Sequence, residues 1–360
     1  MTNSLVTPFN TPLLETQLPS LPDDGNWGID SVQCSFLVDN SFSLPMSSEW
    51  NEKISVNRAE GTETIYYQRT LLAGKANVRV FYWQTFGRCS ISLNPAKVLF
   101  GKSAKLLPPG ALVLALKAVI ETFSMEVVPA FVRLSDDGEL TWTDGWASEV
   151  SITEMEVARN FQIPSHLEKS FQEALQRRPL ARNYVKNTYQ NAKKGFTIYC
   201  NTKSVGSDKF YDKSAELGDV LETCEDGREV RLYRFEATLL RPRLDKFGLR
   251  TLSQVTDMRV WAALEGRMKA TGWGSLQLDS KERVQLGLSR LSYRQREAVL
   301  GFNEAIVQGL DGGIKVAVRR DRTRLARSIG LEPGTPFSAL PAETMVLSLY
   351  TGLLELKTDG

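Results

Sequence analysis

The chain holds a single histidine, His166, in 360 residues. Two-histidine metal motifs, a His-x-His nuclease site and most zinc enzymes are thereby excluded. A Ser-His or Cys-His nucleophile would have to use His166 itself. That residue stands in Ile163-Pro164-Ser165-His166-Leu167-Glu168, which reads as a helix start, with Ser165 as N-cap and Glu168 three residues on. Cysteine is equally sparse. Cys34, Cys89, Cys200 and Cys224 lie far apart and form no CxxC pair. Their spacing speaks against a zinc site or a disulfide framework and for a reducing compartment.

Long apolar runs are absent too. The strongest, Ala111 to Ile120, falls short of the ~20 residues that span a bilayer. Residues 1–25 carry Pro8, Pro12, Pro19 and Pro22 without a basic start or an apolar run, so they are predicted to be a disordered leader, not a signal peptide. The expectation is a soluble, cytoplasmic protein with no membrane partner. Charge of one sign is also missing: 44 Lys and Arg against 42 Asp and Glu leave a net charge of +2. Any nucleic-acid surface must therefore come from local clustering. If metal chemistry exists, carboxylates must carry it, which points to hard cations such as Mg²⁺ or Mn²⁺.

What is present is an ordinary core-forming composition, 42% hydrophobic and 24% charged. From Trp27 a β-rich pattern begins, with Asp30 near the start of the strand Ile29 to Val38. Ile65 to Leu72 and Val78 to Thr85 read as a hairpin about Ala73-Gly74-Lys75, followed by a short strand from Cys89 to Leu93. Ala111 to Phe123 reads as an apolar helix, Val150 to Phe161 as a strand and Pro164 to Gln176 as a helix. Phe196 to Cys200 and Lys209 to Lys213 read as a hairpin, Glu229 to Leu239 as a long strand, and Leu244 to Asp257 as a helix. Strands and helices in no regular βαβ cadence predict an α+β fold, a mainly antiparallel sheet with helices on one face and a smaller helical C-terminal region.

Three segments organise the chain: the leader at 1–25, a mixed strand-and-helix segment at 26–255, and a mostly helical, basic region at 256–360. In the last, Arg259 to Lys269 and Ser280 to Gly309 show helical patterns broken at Gly312-Gly313. Lys315, Arg319, Arg320, Arg322, Arg324 and Arg327 then stand against Asp321 alone, ending at Gly330. Such a cluster either lies along phosphates or forms a solvated basic face, and it fits a winged-helix or helix-turn-helix element.

The segment richest in chemistry is Phe210-Tyr211-Asp212-Lys213-Ser214-Ala215-Glu216-Leu217. A tyrosine hydroxyl, with an ordinary pKa of ~10, is a poor nucleophile until a cation or metal stabilises its phenolate. On a strand, Tyr211 and Lys213 would leave the same face. Taken alone, the pattern also fits a buried aromatic beside solvated charges. Carboxylates stand on other predicted strands: Asp30 on the first, Glu154 and Glu156 on one face of theirs, and Glu236 sharing a face with Arg234. Converging carboxylates repel and need a cation to offset them.

Several blocks together resemble one family. Asn94-Pro95-Ala96-Lys97-Val98-Leu99-Phe100-Gly101 is similar to the Ser-Pro-Ala-Lys-Val-Leu-x-Gly stretch of the gene II-type rolling-circle replication initiators of filamentous phages. Ile152 to Phe161 resembles their Ile-Ser-Arg-Ile-Asp strand, and Phe210 to Leu217 the segment of their nicking tyrosine. Leu232-Tyr233-Arg234-Phe235-Glu236-Ala237 and Leu244-Asp245-Lys246-Phe247-Gly248-Leu249 resemble their Val-Arg-Phe-Glu-Ala and Leu-x-x-Phe-Gly-Leu. Related plasmid rolling-circle initiators carry a similar Tyr-x-Lys-x-x-Glu. The blocks keep the family's order over roughly residues 29 to 250.

The resemblance implies an origin-nicking enzyme. Tyr211 would attack one phosphodiester, leaving a 3′-hydroxyl and a 5′-phosphotyrosyl link from which the displaced strand is rejoined into a circle. Lys213 would stabilise the phenolate or the developing charge. Glu156 stands at the family's strand aspartate and Glu154 at its arginine; Glu216 and Glu236 match by position, and Asp30 completes the metal set. Lys97 and the basic cluster would contact DNA. Origin DNA, double- and single-stranded, is the implied partner, with a host helicase and DNA polymerase. The alternative is a non-catalytic DNA-binding replication or repressor protein with a decayed nuclease site.

Overall fold

A computed structural model describes residues 26–39, 49–57, 61–102, 104–123, 127–135, 139–165, 168, 171–172, 175, 185–191, 195–202, 206–218, 222–223, 229–271, 275–278, 281–331, 333–340, 345–348 and 354–356. The leader, His166 and Cys224 lie outside them.

The chain folds as two compact units, each built from two segments. Met1–Ala158 joins Glu236–Leu264, and Arg159–Phe235 joins Glu265–Gly360. These units do not coincide with the 26–255 and 256–360 segments read from the sequence. The strands are β1 (Trp27–Leu37), β2 (Asn51–Asn57), β3 (Thr62–Ala73), β4 (Ala76–Trp83), β5 (Arg88–Leu93), β6 (Val132–Leu134), β7 (Leu140–Trp142), β8 (Ser151–Pro164), β9 (Val185–Asn191), β10 (Gly195–Thr202), β11 (Gly206–Asp212), β12 (Glu222–Thr223) and β13 (Glu229–Leu239). The main sheet runs β2-β3-β4-β5-β1-β8-β13-β11-β10-β9, with β12 beside β13. The chain passes from the first unit to the second within β8 and returns within β13. The fold is α+β, as the sequence pattern predicts.

In the first unit, strand alternation divides polar from apolar. Val78, Val80 and Tyr82 of β4 are buried, while Asn77 and Arg79, on the alternate face, are exposed. Helix α1 (Pro95–Phe100) follows β5 through Asn94, whose side chain accepts from the Lys97 amide at 2.9 Å, and ends at Gly101 in the left-handed region. Helix α2 (Leu112–Phe123) buries Leu112, Ala115, Leu116, Val119, Ile120 and Phe123, an i, i+3, i+4, i+7 stripe. α1 packs on β1, β4 and α2, and α2 also meets β3. The hairpin turn at Gly74 has φ +58 and passes so close to α1 that a Cβ would stand 2.4 Å from the Val98 carbonyl oxygen.

Two local expectations are corrected. The strand read through Lys213 stops at Asp212, because Asp212 caps a one-turn helix, α3 (Lys213–Glu216), by accepting from the Ala215 amide at 2.9 Å. The helix read at Leu244 to Asp257 is instead α4 (Arg241–Phe247), then a 3-10 turn at Leu252–Gln254, then α5 (Asp257–Thr271). Gly248, at φ 64, ends α4 in a conformation that costs a glycine little.

The C-terminal part of the second unit follows the order β14 (Ser275–Leu278), α6 (Lys281–Ser289), α7 (Tyr293–Val307), α8 (Val316–Ser328), β15 (Met345–Ser348) and β16 (Leu354–Leu356). The three strands form one antiparallel sheet. Val284, Leu288, Val299, Ala326, Ile329, Leu331 and Leu340 form a separate small core. A capping box at Ser292 and Gln295 splits the long helical pattern into α6 and α7. Among the described residues, no helix is long and apolar enough to cross a membrane.

Candidate functional site

In the second unit, β11 sends successive side chains to opposite faces of the sheet. Phe210 is fully buried and joins Phe161, Phe171 and Tyr233 in a ring cluster with centroids 5.1–6.1 Å apart. Tyr211 leaves the opposite face and is 8% exposed. Its hydroxyl accepts from Lys213 Nζ at 3.4 Å, although Lys213 belongs to α3 and not to the strand. Lys213 is only 2% exposed, and its Nζ donates to Glu216 Oε2 at 2.9 Å. Lys209, two residues before Tyr211, holds its ammonium 5.4 Å from the tyrosine ring centre. Burial pushes the Glu216 carboxyl up, but the charge and hydrogen bond of Lys213, a hydrogen bond with Tyr211 and the charge of Arg234 outweigh it and hold the group below its ordinary range.

The turn that delivers Lys213 is built tightly. Arg231 pairs with the capping Asp212 at 2.9 Å, and Ser214 Oγ accepts from the Leu232 amide at 2.8 Å. Gly195 on β10 sits at φ +63, where a Cβ would stand 2.6 Å from Ala215 Cβ. Arg234 is fully buried and donates to Asn160 Oδ1 at 2.7 Å.

In the first unit, Asp30 of β1, Glu156 of β8 and Glu236 of β13 each offer a carboxylate oxygen within 4.8 Å of the others. These strands are consecutive in the sheet. Asp30 is 9% and Glu236 1% exposed. Ser31 Oγ donates to Glu156 Oε2 at 2.8 Å, Thr238 Oγ1 donates to Glu156 Oε1 at 3.4 Å, and Asn94 Nδ2 reaches Asp30 Oδ1 at 3.5 Å. Three buried or half-buried carboxylates at this spacing repel unless protonated or bridged. An all-oxygen donor set on one spot fits a hard divalent cation such as Mg²⁺ or Mn²⁺.

Glu154 is not one of the three. It lines, with Glu156, Ser31, Asn77, Arg79 and Asn94, a polar cleft of about 400 Å³. Burial and the neighbouring Glu156 charge raise its carboxyl pKa, against an opposing pull from Arg79. Glu216, in the second unit, is engaged by Lys213. Lys97 lies half-buried on α1, whose capping residue Asn94 also reaches Asp30. Lys315, at the N-cap of α8, and Arg320, Arg324 and Arg327 on the helix are exposed, and Arg322 is half-buried. Arg319 bonds Asp311 at 2.5 Å, and Arg324 pairs with Asp321 at 2.9 Å.

Sequence reading missed Ser31, Asn94, Asn160, Lys209, Arg234 and Thr238 as members of these constellations. Lys209 carried a signal, since period 2 places it on the face of Tyr211, and Arg234 had been read on the face of Glu236 without a role. The others become neighbours through strand pairing.

No family model matches the chain, and a search of curated proteins finds no match. Among solved structures, a rolling circle replication initiator protein from Geobacillus stearothermophilus aligns at 13% identity and a TM-score of 0.32, over 68% of this chain and 85% of that one. The di-domain ARO/CYC StfQ from the steffimycin biosynthetic pathway aligns at 10% identity and a TM-score of 0.17, over 73% of this chain and 92% of that one.

Proposed function

We propose that the protein is a tyrosine-dependent DNA nicking and joining enzyme that initiates rolling-circle replication. The observation that carries this reading is the Tyr211–Lys213–Glu216 chain, in which an almost buried ammonium is held between a carboxylate and the tyrosine hydroxyl. A second support is the acid triad, which supplies the donors for a cation in a chain with no histidine pair.

In this mechanism the Tyr211 hydroxyl releases its proton to solvent and its oxygen attacks a phosphorus at the origin. The P–O3′ bond breaks, the 3′-oxygen leaves and takes up a proton, and a 5′-phosphotyrosyl bond forms. Attack by a 3′-hydroxyl reverses the step and circularises the displaced strand. Lys213 favours the phenolate and then offsets charge gathering on the phosphoryl group. Glu216 keeps Lys213 charged and aimed. Asp30, Glu156 and Glu236 would hold the divalent cation, which as a Lewis acid polarises a phosphoryl oxygen. The exposed cations of α8 are proposed to lie along duplex DNA beside the nick site. A host helicase and polymerase would extend and displace the strand, in the cytoplasm.

The test is conversion of supercoiled DNA carrying the replicon's origin to the open circle with Mg²⁺ or Mn²⁺ present. The expected product carries protein covalently on the 5′ end, and Tyr211→Phe abolishes both nick and adduct. Tight, specific binding by the wild type with no nicking would instead establish the non-catalytic DNA-binding reading.

A further inference from the structure

We propose that the open face of the first unit's sheet, over β2, β3, β4 and β5, is a binding platform for single-stranded DNA. This rests on the nicking reading and adds a surface of the first unit that takes unpaired origin DNA. Directly opposed residues in antiparallel strands share a face. The registers Lys53↔Tyr66, Tyr66 next to Trp83 by ring stacking, and Trp83↔Arg88 make a row with a cation at each end. Tyr66 and Trp83 stack at 4.5 Å between centroids and 28° between planes, and Phe81 lies 6.2 Å from Tyr66. One strand step beyond Phe81, Arg79 opposes Thr70 and Ser92, and Ser92 opposes Gln33.

This face is not a core. Tyr67, Tyr82 and Cys89 alternate to the other side and are buried, whereas Tyr66, Phe81 and Trp83 are half-exposed and Lys53, Arg79 and Arg88 exposed. Glu52 and Glu63, which pair with Tyr67 and Val56, alternate away from it. Half-exposed rings bordered by cations are the chemistry that takes bases on their faces and phosphates at their edges. Arg79, two residues along β4 from Phe81, also lines the polar cleft, which holds Asn77, Ser92, Glu154 and Glu156, the last a member of the acid triad. A polyanion laid along the platform is thus led toward the cation site, while the acids keep its phosphates from passing further without a metal.

The experiment measures binding of a dye-labelled oligo-dT of about 16 nucleotides, and of a matching duplex, by anisotropy in a Tyr211→Phe background without metal. Phe81→Ala and Trp83→Ala are each expected to weaken single-strand binding roughly 5- to 100-fold and to change duplex binding little. Trp83→Phe, which keeps a stacking ring, is expected to restore most of it. Arg79→Gln, an exposed change that leaves the rings in place, is expected to lower the salt slope by about one phosphate. Variants that melt like the parent and bind oligo-dT as tightly overturn the platform, even if the parent with Tyr211 nicks DNA. Loss of self-association in place of loss of oligo-dT binding also overturns it, assigning the face to a second copy. Weakened oligo-dT binding in a protein that never nicks upholds the platform and removes the nuclease reading alone.

Discussion

Lys213 is the residue on which the proposed chemistry turns. A lysine 2% exposed is costly to keep charged unless an anion answers it, and Glu216 does so at 2.9 Å. Lys213→Ala is expected to lower the nicking rate about 10²- to 10³-fold with little loss of DNA affinity, checked by single-turnover nicking and anisotropy. Glu216 carries a pH signature. Its folded-state pKa is lowered, so its pair with Lys213 adds stability that is fully present above the ordinary carboxylate range, ~4.3, and lost as pH falls through the folded value. The stability gap between wild type and Glu216→Gln is therefore expected to be flat above about pH 5 and to close on acidification, in denaturant melts at a series of pH values. The triad allows a test that needs no DNA. Mn²⁺ is expected to raise the melting temperature with rising concentration, about 2.7 kcal/mol at a hundredfold excess over Kd, and Asp30→Asn with Glu236→Gln is expected to remove the effect.

At the scale of elements, the sequence shows its strands more readily than its turns. Alternation in β4 is written in residue order, and the i, i+3, i+4 stripe of α2 likewise, so these were legible. The end of β11 was not. Whether Asp212 continues a strand or caps a helix depends on Arg231 and on the room that Gly195 leaves, both distant in sequence. Gly195→Ala is expected to push α3 away, since its Cβ would stand 2.6 Å from Ala215 Cβ and 2.9 Å from Asp212 Oδ2. Nicking should fall much as in Lys213→Ala, while Mn²⁺ stabilisation through the triad persists. A variant that nicks normally would show that the turn does not set the lysine. Gly248 was legible as a glycine, yet its power to end α4 rather than sit within a helix came from its positive φ.

At the scale of the whole chain, the notable fact is that compactness ignores sequence order. The second unit draws Arg159–Phe235 together with Glu265–Gly360. Asp208, fully buried on β11, receives Arg267 of α5 through two guanidinium nitrogens. The segment carrying Tyr211 therefore takes a bidentate ion pair from beyond residue 255. Arg267→Ala is expected to destabilise the second unit by about 3–5 kcal/mol, the cost of breaking a buried pair, read as a lower denaturation midpoint for a probe in that unit. Truncation after residue 255 is expected to be at least as damaging, by loss of soluble, cooperatively unfolding protein.

The sequence by itself determined the chemistry available. One histidine and scattered cysteines leave only oxygen ligands, a tyrosine lies two residues from a lysine, and alternation places the strands. Those follow from residue identity and local period, which act over a few positions. Only the tertiary structure decided which acids meet. Asp30, Glu156 and Glu236 come from strands far apart in sequence, while Glu154, two residues from Glu156, is left out of the triad. Strand order and register set those distances, and both are properties of long-range pairing that no local pattern carries.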